Sequence, residues 1–217
     1  MPSEVTIINL GGVNCYLLKA GDGFVLVDTG FQTQRAKLEQ RLEEAGCKPG
    51  KLELIILTHG DSDHAGNCAY LRQRYGAPIA IHKDDASVVE TGDTAASHKL
   101  KPDKRFFVFR LLVIFTKRLA ERYPLEKFKP DFTVDEGFDL VKYALQARVL
   151  HIPGHSKGSI GVLTDDGDLF CGDMFYNMPG FSFIDDMEDY KASLAKLKNL
   201  SIKTIYPGHG RPFTPRL

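Results

Sequence analysis

Short apolar runs bounded by turn residues open the chain. Val5–Leu10, Cys15–Lys19 and Phe24–Val27 are rich in branched and aromatic side chains, and turns separate them at Gly11-Gly12 and Gly21-Asp22-Gly23. That pattern predicts three strands. From Thr33 to Ala45 the apolar positions fall at Ala36, Leu38, Leu42 and Ala45, and the run stops at Gly46. This is helical spacing with a glycine stop. A short buried strand follows at Leu54–Leu57, a helix at Ala65–Tyr75 and a strand at Pro78–Ile81. The second half repeats the style. Val149–Ile152, Ser159–Leu163, Leu169–Cys171 and Thr204–Tyr206 read as strands, and Asp189–Leu200 as a helix. Strands come in clusters interrupted by single helices. The expected architecture is two packed sheets flanked by helices, within one domain, rather than a doubly wound parallel sheet.

The stretch between these halves differs. Residues 98–130 hold ten Lys or Arg and three acidic residues, a local charge of +7 that leaves −7 for the rest. Inside it, Phe106–Phe115 is apolar except for Arg110. A helix there would be apolar all round. Three readings stay open for an insertion spanning about residues 84–130: a buried helical insertion, a lid or homodimer contact over an active site, and an interfacial membrane anchor. A cationic lid would steer an anionic substrate through Lys101, Lys104 and Arg105.

Composition narrows the class. The 217 residues are 43% hydrophobic and 26% charged, enough apolar material for a core, which excludes a disordered chain. Lys plus Arg equals Asp plus Glu at 28 each, which argues against a general nucleic-acid binder. No window of about 18 uncharged apolar residues occurs, so no membrane span is expected. Met1–Leu10 lacks the features of a signal peptide. Cys15, Cys47, Cys68 and Cys171 form no Cys-x-x-Cys pair and read as buried thiols of a cytoplasmic protein.

The densest chemical signal is Thr58-His59-Gly60-Asp61-Ser62-Asp63-His64, directly after the strand Leu54–Leu57. Asp63 could cap the following helix. Capping does not account for two histidines and two aspartates together, which are metal-ligand types. Three more ligand types sit beside glycines after apolar strands: His155 after Gly154, Asp173 after Gly172 and His209 after Gly208. Glycine lets backbone and site approach closely.

In this order the motifs resemble those of the metallo-β-lactamase fold superfamily of metal-dependent hydrolases. The resemblance runs from Val25-Leu26-Val27-Asp28-Thr29-Gly30 to Pro207-Gly208-His209-Gly210. It implies a four-layer αββα sandwich with two divalent ions, zinc in the first place. By resemblance, His59, Asp61 and His155 hold the first ion, Asp63, His64 and His209 the second, and Asp173 bridges them. Asp28 would support a ligand through a hydrogen bond.

One departure stands out. The family pattern is His-x-His-x-Asp-His, and this chain has Asp61 at the second histidine. The added carboxylate leaves two divalent ions and a bridging hydroxide neutral, one charge lower than a histidine version. Extra oxygen donors shift preference towards iron or manganese. The implied activity is attack by a metal-activated hydroxide on a small, anionic ester, thioester, lactone or phosphoester, with Asp63 or Asp61 moving the proton. Two alternatives are a di-iron redox protein on the same scaffold and a membrane-surface or oligomeric module with a residual metal site. Outside this set, His82 and His98 read as surface residues and His151 as a buried structural histidine. Lys157 could hold an anionic group. Gly11-Gly12 with Asn14 reads as a turn at the edge of the pocket. Tyr176, Asn177 and Phe181–Phe183 are open to substrate binding or packing.

Overall fold

The computed structural model describes residues 4–93, 125–177 and 184–215. Strands β1 (Val5–Asn9), β2 (Asn14–Ala20) and β3 (Gly23–Val27) form an antiparallel meander, in which the two glycine turns leave room for tight reversals. Helix α1 (Arg35–Glu44) leads to β4 (Leu52–Ile56), which lies parallel to β3. The expected helix Ala65–Tyr75 is two, α2 (Ser62–Ala65) and α3 (Cys68–Tyr75). The break falls at Asn67, whose side-chain amide donates to the carbonyls of Thr29 at 2.7 Å and Phe31 at 2.9 Å. These tertiary bonds tie the break to the loop after β3. Strand β5 (Ile79–His82) runs into α4 (Lys83–Thr91), and β6 (Phe132–Val134) closes a six-stranded sheet in the order β1-β2-β3-β4-β5-β6.

The second sheet holds four strands in the order β10-β9-β8-β7. Its members are β7 (Ala147–His151), β8 (Ile160–Thr164), β9 (Asp168–Asn177) and β10 (Thr204–Gly210), with α5 (Met187–Lys198) between the last two. Asp186 caps α5 by accepting from the backbone N–H groups of Glu188 and Asp189.

Three apolar layers separate the elements. Leu26, Ile55, Ile79 and Ile81 face Leu38 and Leu42 of α1 and Leu71 of α3. Their strand neighbours Val25, Val27, Leu54 and Ile56 point the other way, onto Val149, Ile160, Val162 and Phe170 of the second sheet. Leu150, Leu163 and Leu169 on its far side meet Leu197 of α5. Strand alternation thus loads both faces of each sheet, giving a helix–sheet–sheet–helix stack. Fully burying each such side chain contributes roughly 1.5–3 kcal/mol.

The two ends of the 84–130 segment are built into this frame. Val88 and Val89 of α4 are buried, as are Leu125 and Phe128. Phe106–Phe115, His98, Lys101, Lys104 and Arg105 lie outside the described residues. Among the described residues no helix is long and apolar enough to cross a membrane. All four cysteines are free and buried.

Candidate metal centre

Parallel strands deliver the site. The chain leaves β4 through Thr58-His59-Gly60-Asp61 and turns into α2. The backbone carbonyl of Asp61 accepts from the N–H groups of His64 at 3.0 Å and Ala65 at 2.8 Å, which starts the helix there. Asp63 therefore lies inside the first turn of α2 and is no cap. Its carboxylate faces two histidines instead: Oδ2 is 3.3 Å from Nε2 of His209 and 3.7 Å from Nε2 of His64.

The structure brings all seven expected residues to the same end of the two sheets. Donor atoms of His59, His155 and Asp173 lie within 4.8 Å of one another, and so do those of Asp63, His64 and His209. Asp173 stands between the triplets. Its Oδ1 is 3.3 Å from Nε2 of His64, and its Oδ2 is 3.3 Å from Nε2 of His209 and 3.9 Å from Nε2 of His155. Asp61 joins the first triplet, with Oδ2 at 3.4 Å from His155 Nε2 and 3.6 Å from His59 Nε2.

The opposite ring nitrogens explain why Nε2 points inward. His64 Nδ1 lies 2.8 Å from Asp28 Oδ2. The Thr58 hydroxyl donates to Asp28 Oδ2 at 2.8 Å, which leaves its oxygen to accept from His59 Nδ1 at 3.0 Å. His209 Nδ1 donates to the Gly12 carbonyl at 2.6 Å. Three rings are thereby held with Nε2 as the atom offered to a cation. Nε2 of His59 and of His64 are buried and make no hydrogen bond among the described residues. Buried polar atoms are normally satisfied, so this pair fits cation ligands. Imidazole and carboxylate donors suit zinc or iron.

Asp28 has an uncommon backbone for this task. Its φ is +60°, the left-handed region, at the end of β3. Aspartate visits that region more readily than most residues. The bend sends one buried carboxylate to both Thr58 and His64, and its Oδ1 also accepts from the Thr58 backbone at 2.9 Å. Thr58 was not singled out from sequence, although it stands beside His59 in the motif.

The Gly11-Gly12 turn edges the centre as expected, through the Gly12 carbonyl. Asn14 and Tyr16 reinforce it. Asn14 Nδ2 donates to the Gly210 carbonyl at 2.7 Å, and the Tyr16 hydroxyl donates to the Pro207 carbonyl at 2.6 Å. These bonds anchor the irregular part of β10, where the register with β9 shifts around Pro207. Gly208 is required there. A Cβ on it would collide with the Asp173 carboxylate and come within 2.6 Å of the His64 ring.

Charge pairing follows from this crowding. Burial pulls the His64 pKa down, but the carboxylates of Asp173, Asp63 and Asp28 outweigh it and hold it well above an ordinary histidine. Burial likewise opposes, and bonds to Asp173 and Asp63 overcome, at His209, whose pKa rises to about 10. Burial pushes Asp63 and Asp173 up, while His64 and His209 hold both below the usual carboxylate range.

His82 corrects an expectation. It is buried, not at the surface, and its ring stacks on His151 at 4.2 Å between centroids and 8° between planes. His151 is only partly buried and reaches the Lys157 carbonyl at 2.9 Å through Nε2. With Asp84 these two histidines form a third donor group. It is poorly made for a cation. His82 Nδ1 already accepts from the Asp84 backbone at 3.2 Å, and Nε2 faces Asp135 at 3.3 Å. Parallel rings also send their lone pairs side by side instead of converging. Lys157 is largely exposed and lies 3.9 Å from Asp84. The side chains of Tyr176 and Asn177, and residues 181–183, lie outside the described part.

Comparison with known proteins agrees with this geometry. The model of the metallo-beta-lactamase superfamily matches residues 8–209. A Drosophila melanogaster protein named beta-lactamase-like protein 2 homolog is 26% identical over 210 residues, covering 96% of this chain and 61% of its own length. The hydroxyacylglutathione hydrolase GloC of Haemophilus influenzae is 27% identical over 182 residues, covering 81% of this chain and 73% of its own. Among solved structures, the di-iron-bound form of TTHA1623 superposes with a TM-score of 0.70 at 27% identity, over 97% of this chain and 94% of that one. The chain spans about three fifths of the length of the first curated relatives it matches.

Proposed function

Because the chain belongs to the metallo-beta-lactamase superfamily, we propose that it is a hydrolase working with two divalent metal ions on a small, anionic thioester. The observation that carries this reading is Asp173, shared between two donor triplets whose histidines all turn Nε2 inward. His59, Asp61 and His155 would hold one ion, Asp63, His64 and His209 the other, with Asp173 between them. Bound cations supply Lewis acidity: they acidify water towards neutral pH and polarise a carbonyl.

The chain's own groups do the rest. Asp63 or Asp61 would move the proton, since their carboxylates are 21% and 17% exposed where that of Asp173 is 4%; Asp63 stands at the edge of the second triplet. Asp61 occupies the corresponding edge of the first triplet. Asp28 and Thr58 keep two rings in the tautomer that leaves Nε2 free. A thioester asks little more. Its thiolate leaves near neutral pH with no obligatory acid, because a thiol pKa is about 8.5. Hydroxyacylglutathione, named for the relative GloC, is a thioester, which favours this class over lactone or phosphoester.

The test is a panel of ester, thioester, lactone, phosphodiester and β-lactam compounds on protein of measured metal content. Thioester turnover should dominate and vanish in His59→Ala. Full activity after rigorous chelation would refute a metal-dependent reaction.

Asp61 supports a second reading, a di-iron redox protein. It adds an oxygen donor to the first triplet, and TTHA1623 has been solved with two irons. Metal analysis separates the two. Two zinc ions favour hydrolysis; two irons with an optical absorption band and no turnover of the panel favour redox chemistry.

A further inference from the structure

Outside both donor triplets lies another buried carboxylate. Asp85, in the first turn of α4, is 2% exposed. Its hydrogen bonds go to two loops far away in the chain. The Gly60 backbone donates to Oδ2 at 3.0 Å, the Ser156 hydroxyl donates to Oδ2 at 2.8 Å, and the Gly158 backbone donates to Oδ1 at 2.9 Å. The first loop carries His59 and Asp61; the second carries His155.

These loops leave different sheets. At their base one backbone bond joins them, Ile160 N–H to the Thr58 carbonyl at 2.8 Å. Beyond that base, and apart from the 3.4 Å contact between Asp61 Oδ2 and His155 Nε2 inside the donor set itself, Asp85 is the bridge that both loops share among the described hydrogen bonds. The approach is close enough to need a glycine at 158, where a Cβ would lie 2.6 Å from the Asp85 carboxyl carbon. Among the described hydrogen bonds, none from Asp85 reaches Asp63, His64 or His209. His64 is held by Asp28 and His209 by Gly12.

We propose that Asp85 is a positioning residue that sets the separation of His59 and Asp61 from His155, and so the affinity of the first donor set alone. The inference rests on the reading of the centre as a two-metal site. Its physical basis is the acceptor-only carboxylate. Asp85→Asn replaces one oxygen by an NH2 group, which then faces N–H and O–H donors. Either amide orientation sets NH2 against a backbone N–H, of Gly60 or of Gly158, so the clamp on the two loops weakens and they can move apart, while the Asp63, His64 and His209 set keeps its own supports.

The experiment is a chelator titration of zinc-loaded wild type, Asp85→Asn and Ser156→Ala, with bound zinc counted by mass spectrometry. Asp85→Asn should release one of two ions at a chelator concentration at least tenfold lower than wild type, with the other ion unchanged, the scale expected when a ligand's support is removed. Ser156→Ala removes one of the three bonds and should shift the same ion less. Added to His209→Ala, Asp85→Asn should leave no tightly held ion. Added to His155→Ala, it should not change the ion that remains. Release of both ions at unchanged chelator concentrations overturns the inference and leaves the two-metal reading intact. Equal weakening of both ions with a lower Tm also overturns it, since that marks a general role in the fold. Should Asp85→Asn not fold, an unshifted Ser156→Ala profile overturns it alone. A wild-type chain that takes up no zinc or iron removes the two-metal reading and this inference together.

Discussion

Asp28 Oδ2 lies 2.8 Å from His64 Nδ1, and the same oxygen accepts from the Thr58 hydroxyl that supports His59. One carboxylate therefore orients histidines belonging to both donor triplets. It does so from a left-handed backbone position at the end of β3.

Asp28→Asn tests that double role. Asparagine tolerates the same backbone region, so the chain should fold. The carboxylate accepts from three donors, the Thr58 backbone and hydroxyl and the His64 ring, and an amide sets its NH2 group against at least one of them. Zinc affinity should fall about 10- to 100-fold at both sites. Competition with a calibrated chelator measures it; unchanged affinity at both sites would show that the contact is incidental.

Metal uptake should release protons. In the metal-free chain the His209 pKa is raised to about 10 and that of His64 is also raised, with burial opposing and the surrounding carboxylates prevailing. The unfolded chain binds these protons only below about 6.5. Both groups have folded pKa values above the unfolded ones, so their contribution to metal-free stability is full below about 6.5 and is lost as pH rises through the folded values. A cation needs the neutral ring, so its apparent affinity moves the opposite way and increases with pH. Zinc titration by calorimetry at pH 7, in two buffers of different ionisation enthalpy, should reveal release of about one proton or more per chain. Identical heats in the two buffers would contradict the charge pairing.

Gly208→Ala should damage the centre without touching a donor. The new methyl group meets the Asp173 carboxylate and the His64 ring. Overpacking of this kind costs about 1–3 kcal/mol. A lower Tm together with lost metal capacity is expected from thermal melts and metal counting. Wild-type values in both would mean that β10 yields easily at this point.

Asp61→His restores the residue pattern of the wider superfamily. It exchanges an oxygen donor for a nitrogen donor beside His59 and His155. Protein loaded from an equimolar mixture of zinc, iron and manganese should shift towards zinc, since imidazole suits zinc better than manganese. An unaltered metal ratio would show that Asp61 does not bear on metal choice.

Much of the site was legible along the chain because its donors are of diagnostic types and end apolar strands. His59, Asp61, Asp63 and His64 are neighbours, His155 follows β7, and Asp173 and His209 stand beside glycines within β9 and β10, just past the apolar runs that alternation exposes. Strand periodicity also carried the two-sheet architecture, since each face must find an apolar partner. Tertiary structure decided what depends on residues distant in sequence. The helix break at Asn67 comes from carbonyls some 36 positions earlier. His82 is buried by a ring from His151, and Asp85 acquires its meaning only where two loops 96 residues apart, at Gly60 and Ser156, meet its carboxylate. Hydrophobic alternation and ligand chemistry are local properties of a chain. The acceptor that a buried polar group finds is chosen by the packing of sheets and helices, and no window of sequence contains it.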